Sequence, residues 1–168
     1  MRRSRAILGS GLLAGAALFA ARPVAAQQRE VHHPVEPDQN GFVVAQPNDL
    51  AADEGGRMKV LVGNPSKPGI YTIRITWAPG QGSHPHYHDQ GRYITVLKGH
   101  WYVSTGPEAD VYDPDHMKRV DPGTFIYEPP MGHHYDMAKD EEVVVQITGM
   151  GPVKTIPIRP ESKGGGQD

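Results

Sequence analysis

Hydrophobic residues in this chain come in short runs that alternate with polar positions, and turn residues separate one run from the next. Met58 to Val62, Ile70 to Trp77, Tyr93 to Leu97, His100 to Ser104, Met117 to Val120, Thr124 to Tyr127, Val143 to Thr148 and Val153 to Ile158 each read as a β-strand. Nearly every gap holds Gly or Pro, as in Gly63-Asn64-Pro65, Pro79-Gly80, Lys98-Gly99, Asp121-Pro122-Gly123 and Pro129-Pro130, and these residues favour turns. Along the second run Tyr71, Ile73, Ile75 and Trp77 fall on one face and Thr72, Arg74 and Thr76 on the other, which describes a half-buried strand. Proline at sixteen positions works against long helices. The pattern predicts an all-β sandwich or barrel.

The two ends do not share this pattern. Arg2, Arg3 and Arg5 precede an uncharged apolar run from Ile7 to Ala21, and Val24-Ala25-Ala26 supplies small residues for cleavage. Residues 1–26 therefore read as an export signal. The run is about fifteen residues, against roughly twenty for a spanning helix, so no membrane attachment is expected after cleavage. The expected location is periplasmic or secreted, and Arg2-Arg3 leaves the twin-arginine route open beside the general one. Residues 27–56 are rich in Pro, Asn and Asp and predict an extended arm, with an edge strand at the apolar stretch Phe42 to Ala45. Residues 57–160 hold the strands of a single domain, and 161–168 predict a disordered tail.

Composition narrows the chemistry. Four of the seventeen Lys and Arg residues lie in the signal and none of the nineteen acids does, which leaves thirteen cations against nineteen acids, a net charge of −6. Nucleic acid is not an expected partner of such a surface. The absence of cysteine excludes a thiol nucleophile, a thiolate metal site and an iron–sulfur cluster. What remains is nine histidines, three of them in Ser83-His84-Pro85-His86-Tyr87-His88. In an extended chain residues two apart share a face, so His84, His86 and His88 are candidates to grip one ion, and imidazole suits zinc, copper, iron and nickel. A solvated histidine-rich loop is the plain alternative.

The surroundings of this segment resemble the first cupin motif, G-x5-H-x-H-x3,4-E-x6-G. Gly80, His86, His88, Arg92 and Gly99 meet every spacing, with Arg92 standing where the motif has Glu. The second motif, G-x5-P-x-G-x2-H-x3-N, is similar to Gly123, Pro129, Met131, His134 and Ala138, with Met131 in place of Gly and Ala138 in place of Asn. The resemblance runs from about residue 57 to residue 158. It implies a double-stranded β-helix, or jelly-roll barrel, behind the extended N-terminal arm. It also implies a divalent metal ion (zinc, iron, copper or manganese) held by His86, His88 and His134, a small-molecule ligand in the barrel mouth, and a homodimer paired through a sheet. His84 stands in reserve as an additional ligand, and alternation turns His133 away from the ion.

Arg92 is the departure that matters most, because a cation is repelled by a metal ion. It leaves three readings open: a neutral three-histidine centre with Arg92 turned away or paired to an acid such as Asp89; Arg92 in the mouth as the contact for a substrate anion; or a barrel whose metal site has decayed. Tyr93, Tyr127, Glu128, Tyr135 and Asp136 are the groups near the motifs from which a general base would come, and Tyr127, Met131 and Tyr135 are expected to line the cavity. The function expected is a metal-dependent oxygenase or hydrolase, with a non-catalytic binding or structural barrel as the alternative.

Overall fold

The computed structural model describes residues 33–54 and 56–159. The expected signal at 1–26, the first residues of the arm and the tail at 161–168 lie outside them. Among the described residues no helix is long and apolar enough to cross a membrane.

Ten strands form the domain: β1 (Met58–Val62), β2 (Gly69–Trp77), β3 (His86–His88), β4 (Arg92–Lys98), β5 (Trp101–Thr105), β6 (Lys118–Val120), β7 (Phe125–Glu128), β8 (His134–Ala138), β9 (Val143–Gly151) and β10 (Thr155–Pro157). They build two five-stranded antiparallel sheets, one in the order β1-β2-β9-β4-β7 and the other β10-β3-β8-β5-β6. This is the jelly roll that the cupin resemblance implies, and eight strands fall where the hydrophobic pattern puts them. The other two, β3 and β8, carry the histidines. Their inward positions hold His86, His88, His134 and Asp136, so polar residues occupy the side where the pattern rule looks for apolar ones.

Alternation in β9 explains its place at the centre of the first sheet. Val143, Val145 and Ile147 are fully or almost fully buried, and the strand pairs along its length with β2 and along most of it with β4. Their side chains meet Tyr71, Ile73, Ile94, Val96 and Trp101 in one core between the sheets. Burying a large aliphatic side chain contributes about 1.5–3 kcal/mol, and this core holds the two sheets face to face. A smaller cluster of Ala109, Met117 and Tyr135 lies on the outer face of the second sheet, under the short helical turn Gly106–Asp110.

The arm departs from expectation at one point. Phe42 to Ala45 forms no strand, and Phe42 and Val44 are exposed.

Two glycines of the first motif have backbone reasons. Gly80 (φ 79°) and Gly99 (φ 74°) both adopt the left-handed conformation, which costs a residue with a Cβ roughly 1–2 kcal/mol. A Cβ at Gly80 meets nothing within 4 Å, whereas at Gly99 it falls 2.3 Å from the Glu142 carbonyl oxygen. Gly99→Ala is therefore expected to destabilise the protein clearly more than Gly80→Ala, whose loss stays near the ~1 kcal/mol of the conformational term. Urea denaturation midpoints of the two variants measure the difference, and equal losses contradict it.

Candidate metal centre

His86 and His88 project from β3 and His134 from the adjacent β8, where His86 and His134 are register partners. All three are buried. One ring nitrogen from each lies within 4.8 Å of the other two, a grouping that one ion could draw together to bonds of about 2.0–2.1 Å. The turn before β8 sets His134 in place. Met131, at the position where the motif has Gly, takes the left-handed conformation at φ 62°, and its N–H donates to the His88 carbonyl at 2.7 Å.

Hydrogen bonds decide which nitrogen faces the centre. Each Nδ1 sits against a backbone carbonyl: His86 against His84 at 2.7 Å, His88 against Lys154 at 3.1 Å and His134 against Gly132 at 2.9 Å. A carbonyl only accepts, so each Nδ1 carries the proton and each Nε2 is left with a bare lone pair. The Nε2 atoms of His88 and His134 are buried with no protein partner. Burial, first of all, pushes the His86, His88 and His134 imidazoles down to about 4, 3 and 4, so they stay neutral at ordinary pH; Coulomb repulsion from His134 adds to this at His86, and from Arg92 at His88 and His134. Lone pairs aimed at one buried point repel each other unless a cation lies between them, and the donor set fits a divalent ion.

Arg92 does not pair with Asp89, whose carboxylate instead accepts from the Lys154 N–H at 2.7 Å. It pairs with Glu128, its register partner on β7. Arg92 Nη2 and Nε both lie on the same oxygen, Oε2, at 2.6 and 2.7 Å, and both side chains are almost wholly buried. The other oxygen, Oε1, lies 3.4 Å from His134 Nε2. Since His134 is neutral and its proton is on Nδ1, this contact is neither an ion pair nor a hydrogen bond.

Beside the imidazoles opens a cavity of about 330 Å³, walled by Ile75, Trp77, Trp101, Val145 and Ile147 and by the polar side chains of Arg57, Ser83, Arg92 and Asp136. The indole N–H groups of Trp77 and Trp101 and the Oδ1 of Asp136 are buried without protein partners. Burial, with a smaller push from Glu128, raises the Asp136 carboxyl to about 7.

Other expected site residues lie differently. His84 contributes to the cavity wall but stands outside the imidazole cluster: strand β3 starts only at His86, the chain bends at Pro85, and the exposed His84 ring packs on Tyr112 with centroids 4.5 Å apart. Tyr127 alternates with Glu128 on β7 and so faces outward, 50% exposed against Tyr93. Met131 is 56% exposed on its turn. Tyr135 is buried but on the opposite face of β8 from His134, where its hydroxyl donates to the Asp113 carbonyl at 2.9 Å. His133 faces away from the imidazole cluster, bonded to Asp110 and stacked on Tyr87. Asp136, two residues beyond His134, does line the cavity; the same alternation that points His134 inward points to it. Trp77 and Trp101 carry no sequence mark beyond their places on inward-facing positions.

The profile of the ChrR cupin-like domain family matches residues 40–154, and no curated protein sequence matches the chain. Among solved structures, the polyketide cyclase RemF from Streptomyces resistomycificus is 15% identical, with a TM-score of 0.56 over 70% of this chain and 86% of its own. A conserved protein of unknown function from Streptococcus pyogenes is 16% identical, with a TM-score of 0.51 over 71% of this chain and 93% of its own. A cupin 2 domain-containing protein from Halorhodospira halophila is 19% identical, with a TM-score of 0.49 over 60% and 67%. At these identities the likeness is one of fold, and it rests on the first two.

The depressed imidazoles make stability depend on pH. In the unfolded chain each histidine takes up a proton near 6.5, while in the fold it does so only near 3 to 4. Stability present above about pH 6.5 is thus lost as the pH falls towards 4. Asp136 acts in the opposite sense, because the fold holds its proton up to about 7 and the unfolded chain releases it near 3.8. Three protons outweigh one, so the urea midpoint of metal-free protein is expected to fall steadily between pH 6.5 and pH 4.5, and His88→Gln to flatten that slope. A profile that is level over this range contradicts the burial of neutral imidazoles.

Proposed function

The chain belongs to the ChrR cupin-like domain family, and from that premise we propose that it binds one divalent metal ion through His86, His88 and His134 and a small organic molecule beside it. The observation that carries the reading is the locking of all three Nδ1–H groups onto backbone carbonyls, which leaves three neutral imidazoles converging through Nε2. An ion bound there supplies Lewis acidity, and zinc, iron, copper and manganese all accept such a donor set.

The cavity supports the second half of the proposal. Its volume of about 330 Å³ is at the small end of the range for organic ligands. Its apolar walls suit a carbon skeleton. The unpartnered indole N–H groups of Trp77 and Trp101 suit oxygens on that skeleton, since a buried donor left without an acceptor costs about 1–3 kcal/mol. Asp136 lines the same cavity and its Oδ1 is buried without a protein partner, which gives a bound molecule a polar group to meet. The reaction class that fits is metal-dependent oxygenation or hydrolysis. Export to the periplasm or beyond, read from residues 1–26, is part of the same proposal.

Elemental analysis of the purified full-length protein tests the metal reading. One divalent ion per chain is expected, falling below a tenth in His86→Ala and His134→Ala while circular dichroism stays that of a folded β-protein. Protein that holds no stoichiometric ion from any of these metals, even after incubation with excess, sinks the proposal. For a structural ion the signature is different: chelation then lowers the melting temperature by many degrees, where a reactive site loses turnover with little change in melting.

A further inference from the structure

Position 92 carries a cation where the family motif has a carboxylate, yet a carboxylate is present at the centre. It comes from the neighbouring strand. Glu128 ends β7 directly opposite Arg92, is 7% exposed, and reaches the His134 imidazole from the other sheet. Arg92 places two nitrogens on Oε2 and none on Oε1. Oε1 therefore keeps its lone pairs and stands 3.4 Å from His134 Nε2. That separation is what two ligand atoms show when they share one ion at bonds of about 2.1 Å in tetrahedral geometry. With His134 Nε2 also a lone pair, two acceptors face each other at 3.4 Å in a buried site, an arrangement that a cation between them relieves.

We propose that Glu128 is the carboxylate ligand of the centre, binding through Oε1, and that Arg92 is the positioning residue that holds Oε2 and turns Oε1 inward. The inference rests on the metal reading above and extends it: the negative charge missing from position 92 returns from across the β4–β7 ladder. The three imidazole nitrogens form the mutually close set and Oε1 approaches it from the His134 side, so metal binding draws the carboxylate inward. Arg92 lines the cavity, but its charge is matched by Glu128. With the Arg92 and Glu128 charges cancelling and three neutral imidazoles, the centre carries the net charge of the ion alone.

Diffraction from crystals of the full-length wild-type protein loaded with zinc tests this directly. A Glu128 oxygen within about 2.2 Å of the ion is expected; an ion held by the three histidines with both Glu128 oxygens more than 3 Å away overturns the proposal and leaves the metal reading standing. Failure to find an ion on the histidines overturns both. In solution, Glu128→Gln is expected to weaken zinc binding 10- to 100-fold in chelator competition and to change the visible absorption of the cobalt-substituted protein, which reports the ligand set. Glu128→Asp should recover part of the affinity. An unchanged cobalt spectrum with affinity within twofold of wild type overturns the proposal. Should Glu128→Gln not fold, because it leaves Arg92 buried and unpaired, the wild-type diffraction alone decides.

Discussion

Three hydrogen bonds from imidazole to backbone carry the rest of this structure's chemistry. Each takes the proton of a buried histidine at Nδ1 and fixes the ring so that Nε2 faces the same point. Without them the rings would be free to turn, to protonate on either nitrogen, or to bond to one another. The carbonyls that receive these protons come from three separate places: the bend before β3, the turn before β8 and the approach to β10. The donor geometry is thus a property of three neighbouring strands of the second sheet, β10, β3 and β8, rather than of one segment.

The sheets divide the labour. The second sheet supplies the imidazoles, with β3 set between β10 and β8. The first sheet supplies the apolar walls of the cavity through β2 and β9 and the Arg92–Glu128 pair through β4 and β7. A buried ion pair is weak evidence for stability, because desolvating both charges offsets most of their attraction. Its value here lies in geometry: two nitrogens on one oxygen leave the other oxygen free beside His134, 3.4 Å from its Nε2. The pair and the imidazole cluster therefore lie side by side, one from each sheet.

Much of this was legible in the chain. Alternating hydrophobic runs located eight of the ten strands, and motif spacing brought together His86, His88 and His134 over a gap of forty-six residues. The strands β3 and β8 escaped the pattern because their inward faces are built of His and Asp, which count as outward residues under any rule based on hydrophobicity. His84 looked equivalent to His86 only if the chain were already extended at Pro85, where it bends. Tyr127, Met131 and Tyr135 are near the site in sequence but face away from it, since one step along a strand reverses the side chain. The most consequential omission is the pairing of Glu128 with Arg92. The sequence position of Glu128 suggests a base beside the motif, while its pairing with Arg92 depends on the antiparallel register of β4 and β7, which no local pattern in either strand encodes.

The bond from His88 to the Lys154 carbonyl joins residues sixty-six apart, and the strand that follows Lys154 pairs directly with β3. A growing polypeptide cannot supply that carbonyl until nearly the whole barrel has been synthesised. His86 and His134 can meet earlier, but the third imidazole stays free to spin until β10 docks. The full set of three fixed imidazoles is consequently complete only late in folding, after the last strand of the barrel has settled against β3.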